Sequence, residues 1–257
     1  MRDQTNYKLL FEPISIGTIR LKNRIAMAPM ATGFFSNYGL VTEKAKAYYE
    51  ARAKGGAGLV IVESSCIDFP RGHGPNRGNI DSDLTIKGLT SLTDAIHKHG
   101  AKAAIQIYHV GRLGNIKYSG LPSITPSSTQ NPDTDIPKNL LPVELTVKGI
   151  NEISRLYGES AVRAKKAGFD GIEIHAAHGY LISQFLSPVS NQRQDEYGGS
   201  LENRSRFLLD ILKVIRDLVG DDFPVWYRIN GHEYGMEGAL CLEDVKKIIS
   251  MGLFKKR

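Results

Sequence analysis

Nearly continuous apolar runs alternate with amphipathic segments along most of the chain, and this alternation is its main structural signal. Five runs predict buried strands, at 25–30, 58–62, 102–108, 171–175 and 224–229. Segments with helical periodicity follow these runs, at about 42–54, 84–98 and 146–167, from Ser200 onward, and at 242–250, and Ser200 is the predicted N-cap of its helix. Strands that alternate with helices in this order predict a parallel sheet covered by helices.

Two further features interrupt this pattern. Residues 14–25 predict a β-hairpin whose turn lies at Gly17 and Thr18. Residues 111–142 and 179–199 are long stretches without a clear period. A loop as long as 111–142 inside a compact domain is usually functional or mobile, and we expect it to help select the substrate.

The choice between two parallel architectures depends on where the polar residues lie. A doubly wound sheet usually carries a glycine-rich phosphate turn after its first strand, whereas the sequence here continues as ATGF at 31–34. Polar residues collect at the C-terminal ends of several strands, as in a (β/α)8 TIM barrel. We therefore predict an α/β fold of the TIM-barrel type, in a single domain over residues 1–257. Only five strand–helix units can be counted, so we expect a truncated barrel without strands six to eight.

Composition and charge are those of a soluble enzyme. Hydrophobic residues make up 41% of the chain and charged residues 23%, and no apolar run is long enough to cross a membrane. The net charge of +6 is scattered, which argues against nucleic acid and membrane partners and suits an anionic ligand such as a nucleotide cofactor. A polar start and only two cysteines predict a cytoplasmic location, and a homo-oligomer is compatible with the sequence.

The segment HAAHGY at 175–180 carries the strongest candidate chemistry. It lies where the fourth predicted strand ends, so two histidines and a tyrosine can face the mouth of the barrel. They offer hydrogen-bond donors for a substrate carbonyl and a source of protons. A metal site is an alternative, although no acidic or cysteine partner stands at a recognisable spacing. A structural role beneath the following loop is a third interpretation.

Long motifs of this sequence resemble the Old Yellow Enzyme family, in particular its bacterial NADH:flavin oxidoreductase branch. The motifs are LFEPISIGTIRLKNRIAMAPMAT at 10–32, AGLVIVESS at 57–65, IQIYHVGR at 105–112 and HAAHGYLISQFLSPVSNQRQDEYGGSLENRSRF at 175–207. The resemblance extends to about Val245. It implies a TIM barrel of the FMN-linked oxidoreductase type, which transfers hydride from NADH or NADPH through FMN to an activated C=C bond. An enone, an enoate and a dienoyl compound are the implied substrate types.

The resemblance also implies an FMN site at the C-terminal ends of the strands. Gln106 would hydrogen-bond the pyrimidine side of the ring, and Ser64, after the second strand, would approach the ring edge. Arg228 would lie near flavin N1 and the C2 oxygen, where a fixed cation favours the anionic reduced flavin. An ion pair inside the barrel is the alternative role for Arg228. The implied cofactor-binding residues are Ala28, Pro29, Met30, Ser64, Gln106, His175 and Arg228.

Three catalytic residues are implied as well, His175, His178 and Tyr180. The two histidines would bind the carbonyl oxygen of the alkene and make its β-carbon electrophilic enough to accept hydride. Tyr180 would deliver the proton to the α-carbon on the opposite face. No metal ligand is implied. The segment 195–204 matches the family too, and we interpret it as a structural joint between a loop and a helix.

Two features depart from the family's pattern. Ala31 stands where many relatives carry a threonine or cysteine that touches the flavin, and an alanine side chain cannot donate a hydrogen bond. In the family, the loops after the last two strands hold the FMN phosphate, and these loops lie beyond the five units. A non-catalytic remnant that does not retain flavin therefore stays open as the alternative function. A barrel with another ligand, such as an aldolase-like enzyme, is disfavoured because no lysine ends a predicted strand.

Overall fold

The structure is a computed structural model and describes residues 7–72, 76–114, 116–128 and 142–252. A parallel sheet forms its centre, with the longer helices on one side. The strands are β1 (Ile14–Ile16), β2 (Ile19–Leu21), β3 (Ala26–Met27), β4 (Leu59–Cys66), β5 (Gly78–Asn79), β6 (Lys102–Tyr108), β7 (Ile124–Thr125), β8 (Val143–Glu144), β9 (Gly171–Ala176) and β10 (Val225–Ile229). The α-helices are α1 (Lys8–Phe11), α2 (Glu43–Lys54), α3 (Phe69–Gly72), α4 (Ile86–His97), α5 (Ile116–Ser119), α6 (Val147–Lys166), α7 (Leu181–Leu186), α8 (Leu201–Val219) and α9 (Leu242–Gly252). None of the helices in these ranges is long and apolar enough to cross a membrane.

The central sheet has the strand order β10-β9-β6-β4-β3, and every neighbouring pair is parallel. The short β5 pairs with the C-terminal end of β4. This order follows the chain without the reversal that marks a doubly wound sheet. The helices α2, α4, α6, α8 and α9 come after β3, β4, β6, β9 and β10. The described residues therefore form five strand–helix units of an α/β TIM-barrel fold, which confirms the predicted fold class.

Alternate residues of each strand face two different environments. In β9, Ile172 and Ile174 belong to the large apolar core between the sheet and the helices. Glu173 and His175 point to the other side of the sheet, the inside of the barrel, and both are buried. Because the helices cover the outer face, polar side chains of the strands collect on the inner one.

The predicted hairpin is present as β1 and β2 and covers the N-terminal end of the inner face. Its apolar side chains pack against Leu59 and Ile61 of β4 and against Ala104 of β6. The Thr18 hydroxyl donates a hydrogen bond to the backbone oxygen of Asp222 at 2.6 Å, which ties the turn to the segment before β10. The hairpin therefore leaves the carboxyl ends of the strands available for a site.

Side-chain caps begin three of the longer helices close to the predicted positions. Thr42, Thr146 and Ser200 each accept a hydrogen bond from the backbone N–H three residues further on, at 3.1, 3.1 and 3.2 Å. Each cap satisfies one of the N–H groups that the first helical turn leaves without an intrahelical partner. The prediction of Ser200 as an N-cap is confirmed.

The prediction of a buried first strand at 25–30 is wrong. β3 pairs with β4 through Ala26 and Met27 alone, and the side chains of Ala28 and Met30 are exposed. β3 is an edge strand of the described sheet, so one of its sides has no neighbouring strand to bury it. Pro29 also lacks the N–H that would continue the ladder.

The second predicted strand is longer than expected. β4 continues to Cys66, and its register with β6 shifts between Val62 and Ser65, which indicates a β-bulge. Ser64 therefore lies within the strand. The sequence had predicted a position after the strand. A bulge depends on pairing with a neighbouring strand, so the local sequence carries no sign of it.

The two predicted loops contain short elements. Residues 179–199 include α7, whose six residues are all buried. In the stretch 111–142 the described residues include α5 and β7, while 129–141 lie outside the described residues. Buried short helices lack the polar face that makes longer surface helices recognisable in a sequence.

The guanidinium of Arg193 joins the loop before α8 to two other segments. It donates to the backbone oxygens of Pro126 and Leu145 at 2.8 and 2.6 Å. It also donates to both carboxylate oxygens of Asp195, at 2.9 and 2.6 Å. These contacts support the interpretation of 195–204 as a structural joint.

We expect the substitution Gly198→Ala to lower the free energy of unfolding by about 2–3 kcal/mol, because an added Cβ would overlap the backbone of Arg193. Gly231→Ala is the matched control, since no atom lies within 4 Å of the Cβ position there. Urea unfolding followed by circular dichroism measures both variants. Equal midpoints for the two would contradict the tight approach at Gly198.

Candidate active site

Polar side chains gather on the inner face at the carboxyl ends of β6, β9 and β10. The strand register places Gln106 opposite Glu173, and His175 opposite Arg228. Side chains two residues apart on a strand share a face, so Glu173 and His175 lie on the same side of the sheet. The fold therefore brings an amide, a carboxylate, an imidazole and a guanidinium together from three strands.

Glu173 is the acceptor that links these strands. Its Oε1 accepts hydrogen bonds from Gln106 Nε2 at 2.7 Å and from Arg228 Nε at 3.0 Å. Its Oε2 accepts from the indole Nε1 of Trp226 at 2.8 Å. The ion pair proposed as the alternative role of Arg228 is thus present. A carboxylate at this depth is stable because three donors and one positive charge replace its lost hydration.

The three predicted catalytic side chains form one cluster. His178 Nδ1 lies 3.2 Å from His175 Nε2. The ring of Tyr180 packs edge-to-face on His175, with 4.8 Å between ring centroids, and on Tyr108, with 5.1 Å. In the described ranges no group of three His, Cys, Asp or Glu side chains could hold a metal ion.

His178 reaches the cluster through an unusual backbone conformation. Its φ angle is +59°, and that of Gly179 is +72°. The left-handed region costs a non-glycine residue about 1–2 kcal/mol. Two hydrogen bonds hold the turn: the His178 N–H donates to Asn230 Oδ1 at 3.1 Å, and Gln184 Nε2 donates to the Gly179 oxygen at 2.6 Å. Side-chain contacts from neighbouring elements therefore impose this conformation on the turn.

His175 is neutral at pH 7. Burial lowers its pKa to about 3, and the neighbouring His178 and Arg228 act in the same direction. The backbone N–H of Ala177 donates to His175 Nδ1 at 3.3 Å, which makes Nδ1 an acceptor and assigns the proton of the neutral ring to Nε2. In this tautomer the Nε2–H of His175 faces His178 Nδ1 at 3.2 Å, so His175 can donate to a substrate oxygen, without carrying a charge, by turning from or sharing that contact.

The remaining predicted cofactor residues lie towards the other edge of the sheet. Ser64 is buried at the bulge of β4, beside the part of β6 that carries Gln106. Ala28 and Met30 are exposed beyond β3. Two strands, β4 and β6, separate them from the histidines, so the structure does not bring Ala28, Pro29 and Met30 into the histidine cluster.

A cleft of about 290 Å³ adjoins the cluster at His178, the member of the cluster that lines it. It is lined by the loop after β10, which contributes His232 and Tyr234, and by Arg112 from the turn after β6. The rest of the lining is mostly polar and includes the carboxylate of Glu233 and the amide of Asn230, with Met236 as an apolar contact. The cleft can take a small organic molecule that carries a polar group.

The sequence reasoning missed Glu173 and Asn230. Glu173 is the one charged residue in the run GIEIH at 171–175, and it stands two positions before His175. That spacing predicts that Glu173 and His175 share one face of the strand, and it could have identified Glu173 as part of the site. Asn230 carries no comparable signal, because its partner lies 52 residues away in the chain.

Polar side chains at the carboxyl ends of parallel strands, beside an open cleft, define this chain as an enzyme-like TIM-barrel protein. The model of the NADH:flavin oxidoreductase / NADH oxidase family matches residues 9–257. The chain therefore belongs to this family, which agrees with the resemblance of its motifs to Old Yellow Enzyme.

Individual relatives agree with this assignment. The NADH oxidase of Thermoanaerobacter brockii is 41% identical over 251 residues, which cover 96% of this chain and 38% of that relative. The NADPH dehydrogenase of Clostridium acetobutylicum is 39% identical over 250 residues, covering 94% and 70%. The solved structure of the old yellow enzyme homologue from Zymomonas mobilis superposes with a TM-score of 0.83 at 32% identity, covering 95% and 68%. This chain thus spans little more than a third of the length of the NADH oxidase.

We expect His175→Gln to remove part of the acid destabilisation of the fold. The folded-state pKa of His175, about 3, lies below its ordinary value of 6.5, so between these values the unfolded chain binds the extra proton. Above pH 6.5 His175 is neutral in both the folded and the unfolded chain and does not reduce the free energy of unfolding. As the pH decreases from 6.5 towards 3, the free energy of unfolding falls by up to ~1.4 kcal/mol per pH unit. Urea unfolding between about pH 4 and pH 7 measures the slope. Parallel slopes for the wild type and the variant would contradict a buried neutral imidazole.

Proposed function

We propose that this chain binds FMN and acts in the NAD(P)H-dependent reduction of a C=C bond that is conjugated to a carbonyl group. The observation that carries the proposal is the cluster of His175, His178 and Tyr180 beside the network of Gln106 and Arg228. Membership of a flavin oxidoreductase family supports it. The names of two relatives, an NADH oxidase and an NADPH dehydrogenase, support the nicotinamide donor.

The polar inner face suits the pyrimidine part of FMN, which has carbonyl acceptors and one N–H donor. The side chain of Arg228 is 35% exposed, and in the described part of the chain its terminal amino groups have no hydrogen-bond partner. The residues that would hold the cofactor are Ala28, Pro29, Met30, Ser64, Gln106, His175 and Arg228. When bound, FMN accepts hydride from NADH or NADPH and passes hydride to the alkene.

The histidine pair would bind the carbonyl oxygen of the substrate. His175 has a neutral Nε2–H, which faces His178 Nδ1 at 3.2 Å and would turn towards the oxygen of a bound substrate, and His178 lines the cleft. Donors aimed at this oxygen stabilise the negative charge that develops there when the β-carbon is reduced. The substrate class, an enone, an enoate or a dienoyl compound, follows from this requirement for a carbonyl beside the double bond.

Tyr180 would supply the proton for the α-carbon. Its ring is half-buried and held between His175 and Tyr108, so the phenol has a restricted position. A fixed phenol next to the bound carbonyl can act as a general acid towards an enolate-like transition state. In this proposal the histidines bind the carbonyl oxygen of the substrate, and the tyrosine protonates its α-carbon.

We expect the purified chain to retain FMN after desalting, with absorption bands near roughly 370 and 450 nm that come from the flavin itself. Arg228→Met should weaken FMN binding by at least about tenfold, since it removes a charged hydrogen-bond donor. Lys246→Met is the control, because it removes a positive charge from the exposed face of α9. Fluorescence titration with FMN measures all three proteins. A wild-type chain that is colourless and does not bind added FMN would refute the proposed function.

We expect Tyr180→Phe to slow the reduction of 2-cyclohexenone by about 10²–10⁴-fold, the usual contribution of a general acid. The rate at which NADPH reduces the bound flavin should stay unchanged, because the proton of Tyr180 is used only when the alkene is reduced. Stopped-flow absorbance at the flavin band separates the two half-reactions. An equal loss in both would contradict the assigned role.

A further inference from the structure

The buried carboxylate of Glu173 has no role in the chemistry described so far, although three side chains converge on it. The side chain is 6% exposed. Its donors are Gln106 on β6 and Trp226 and Arg228 on β10. It therefore connects both strands that flank β9.

The contact with Glu173 decides which way the amide of Gln106 faces. An ionised carboxylate accepts hydrogen bonds only, so the group of Gln106 that lies 2.7 Å from it must be the amide nitrogen. The carbonyl oxygen of the same amide then remains as an acceptor. The pyrimidine ring of a flavin carries one N–H between two carbonyl groups, and an amide held in this orientation can accept from it.

The same carboxylate fixes the position and the effective charge of Arg228. Nε alone donates to Glu173, which leaves the two terminal amino groups available for a ligand. The negative charge of Glu173 offsets part of the positive charge of the guanidinium. Anything that binds beside Arg228 therefore meets an ion pair rather than an isolated cation.

We propose that Glu173 is a positioning residue that sets both the affinity for FMN and the reduction potential of the bound flavin, through the orientation of Gln106 and the charge of Arg228. The inference rests on the proposed function, because it concerns the same site. Partners that orient the ligands of a metal typically change the affinity for the metal by about 10–100-fold, and we expect an effect of this order for the flavin.

Two substitutions separate the charge of Glu173 from its shape. Glu173→Gln keeps the shape and removes the charge, so we expect the midpoint potential of the flavin to rise, because the positive charge of Arg228 is no longer offset. A tenfold change in the ratio of reduced to oxidised flavin, ~30 mV for a two-electron couple, is the expected size. Glu173→Asp keeps the charge and shortens the side chain, so the potential should stay near that of the wild type while FMN binds about tenfold more weakly.

Asp170→Asn is the matched control, at the residue directly before the strand that carries Glu173. Asp170 lies before β9 and binds His97 and Lys102, both at 2.7 Å, at the opposite end of the sheet. We expect this variant to lose stability and to keep the potential of the wild-type flavin. Spectroelectrochemistry measures the potential, and fluorescence titration measures the dissociation constant for FMN.

The fluorescence of Trp226 gives a readout without cofactor, since Trp226 is the only tryptophan of the chain. Its indole N–H donates to Glu173, so Glu173→Gln should shift the emission maximum of the FMN-free protein, whereas Asp170→Asn should not. An amide has one acceptor oxygen where the carboxylate has two. It therefore cannot accept from all three donors in the same way.

The outcomes distinguish the inference from the proposed function. If the wild type does not bind FMN, the proposed function fails, and the inference fails with it. If the wild type binds FMN and both variants at position 173 keep its potential and affinity, the inference alone is overturned. Failure of both variants to fold would also overturn it, because Glu173 would then be structural. Unchanged Trp226 emission in Glu173→Gln would contradict the hydrogen-bonded network itself.

Discussion

The parallel register of β6, β9 and β10 determines which side chains of this site can meet. A shift of one residue in β9 would turn Glu173 and His175 towards the helices and bring Ile172 and Ile174 to the inner face. Both faces oppose such a shift. The outer face packs the isoleucines into the main apolar core, and the inner face supplies three donors to Glu173. The interactions that stabilise the sheet are therefore the ones that assemble the site.

Burial and charge together assign different states to the groups of the inner face. Arg228 and Glu173 form an ion pair, so neither charge is left alone in a poorly hydrated place. His175, which lies opposite Arg228 in the register, has its pKa lowered to about 3 mainly by burial and stays neutral. A protonated imidazole there would add a second cation beside the guanidinium. The site thus holds one fixed cation and one neutral donor, side by side on adjacent strands.

The sequence predicted those features that depend on local patterns or on long motifs. Apolar runs located the strands of the sheet, and the absence of a glycine-rich turn favoured the barrel over the doubly wound sheet. The histidines and the tyrosine came from a motif, and the structure brings them together. The bulge at Ser64 and the hydrogen bonds of Glu173 were not predictable, because both depend on neighbouring strands. The first strand was predicted as buried because an apolar run does not reveal which strand lies at an edge of the sheet.

The donor and acceptor atoms that the network leaves without a partner distinguish a ligand site from a structural ion pair. An arginine that serves only to anchor a carboxylate commonly uses two parallel N–H groups in a bidentate contact. Arg228 donates to Glu173 through Nε alone, and Gln106 donates one N–H while its oxygen remains as an acceptor. Glu173 therefore fixes the orientation of both side chains and satisfies only part of their hydrogen-bonding capacity. A planar ligand that carries an N–H group beside carbonyl acceptors is complementary to what remains, and the pyrimidine ring of a flavin is such a group.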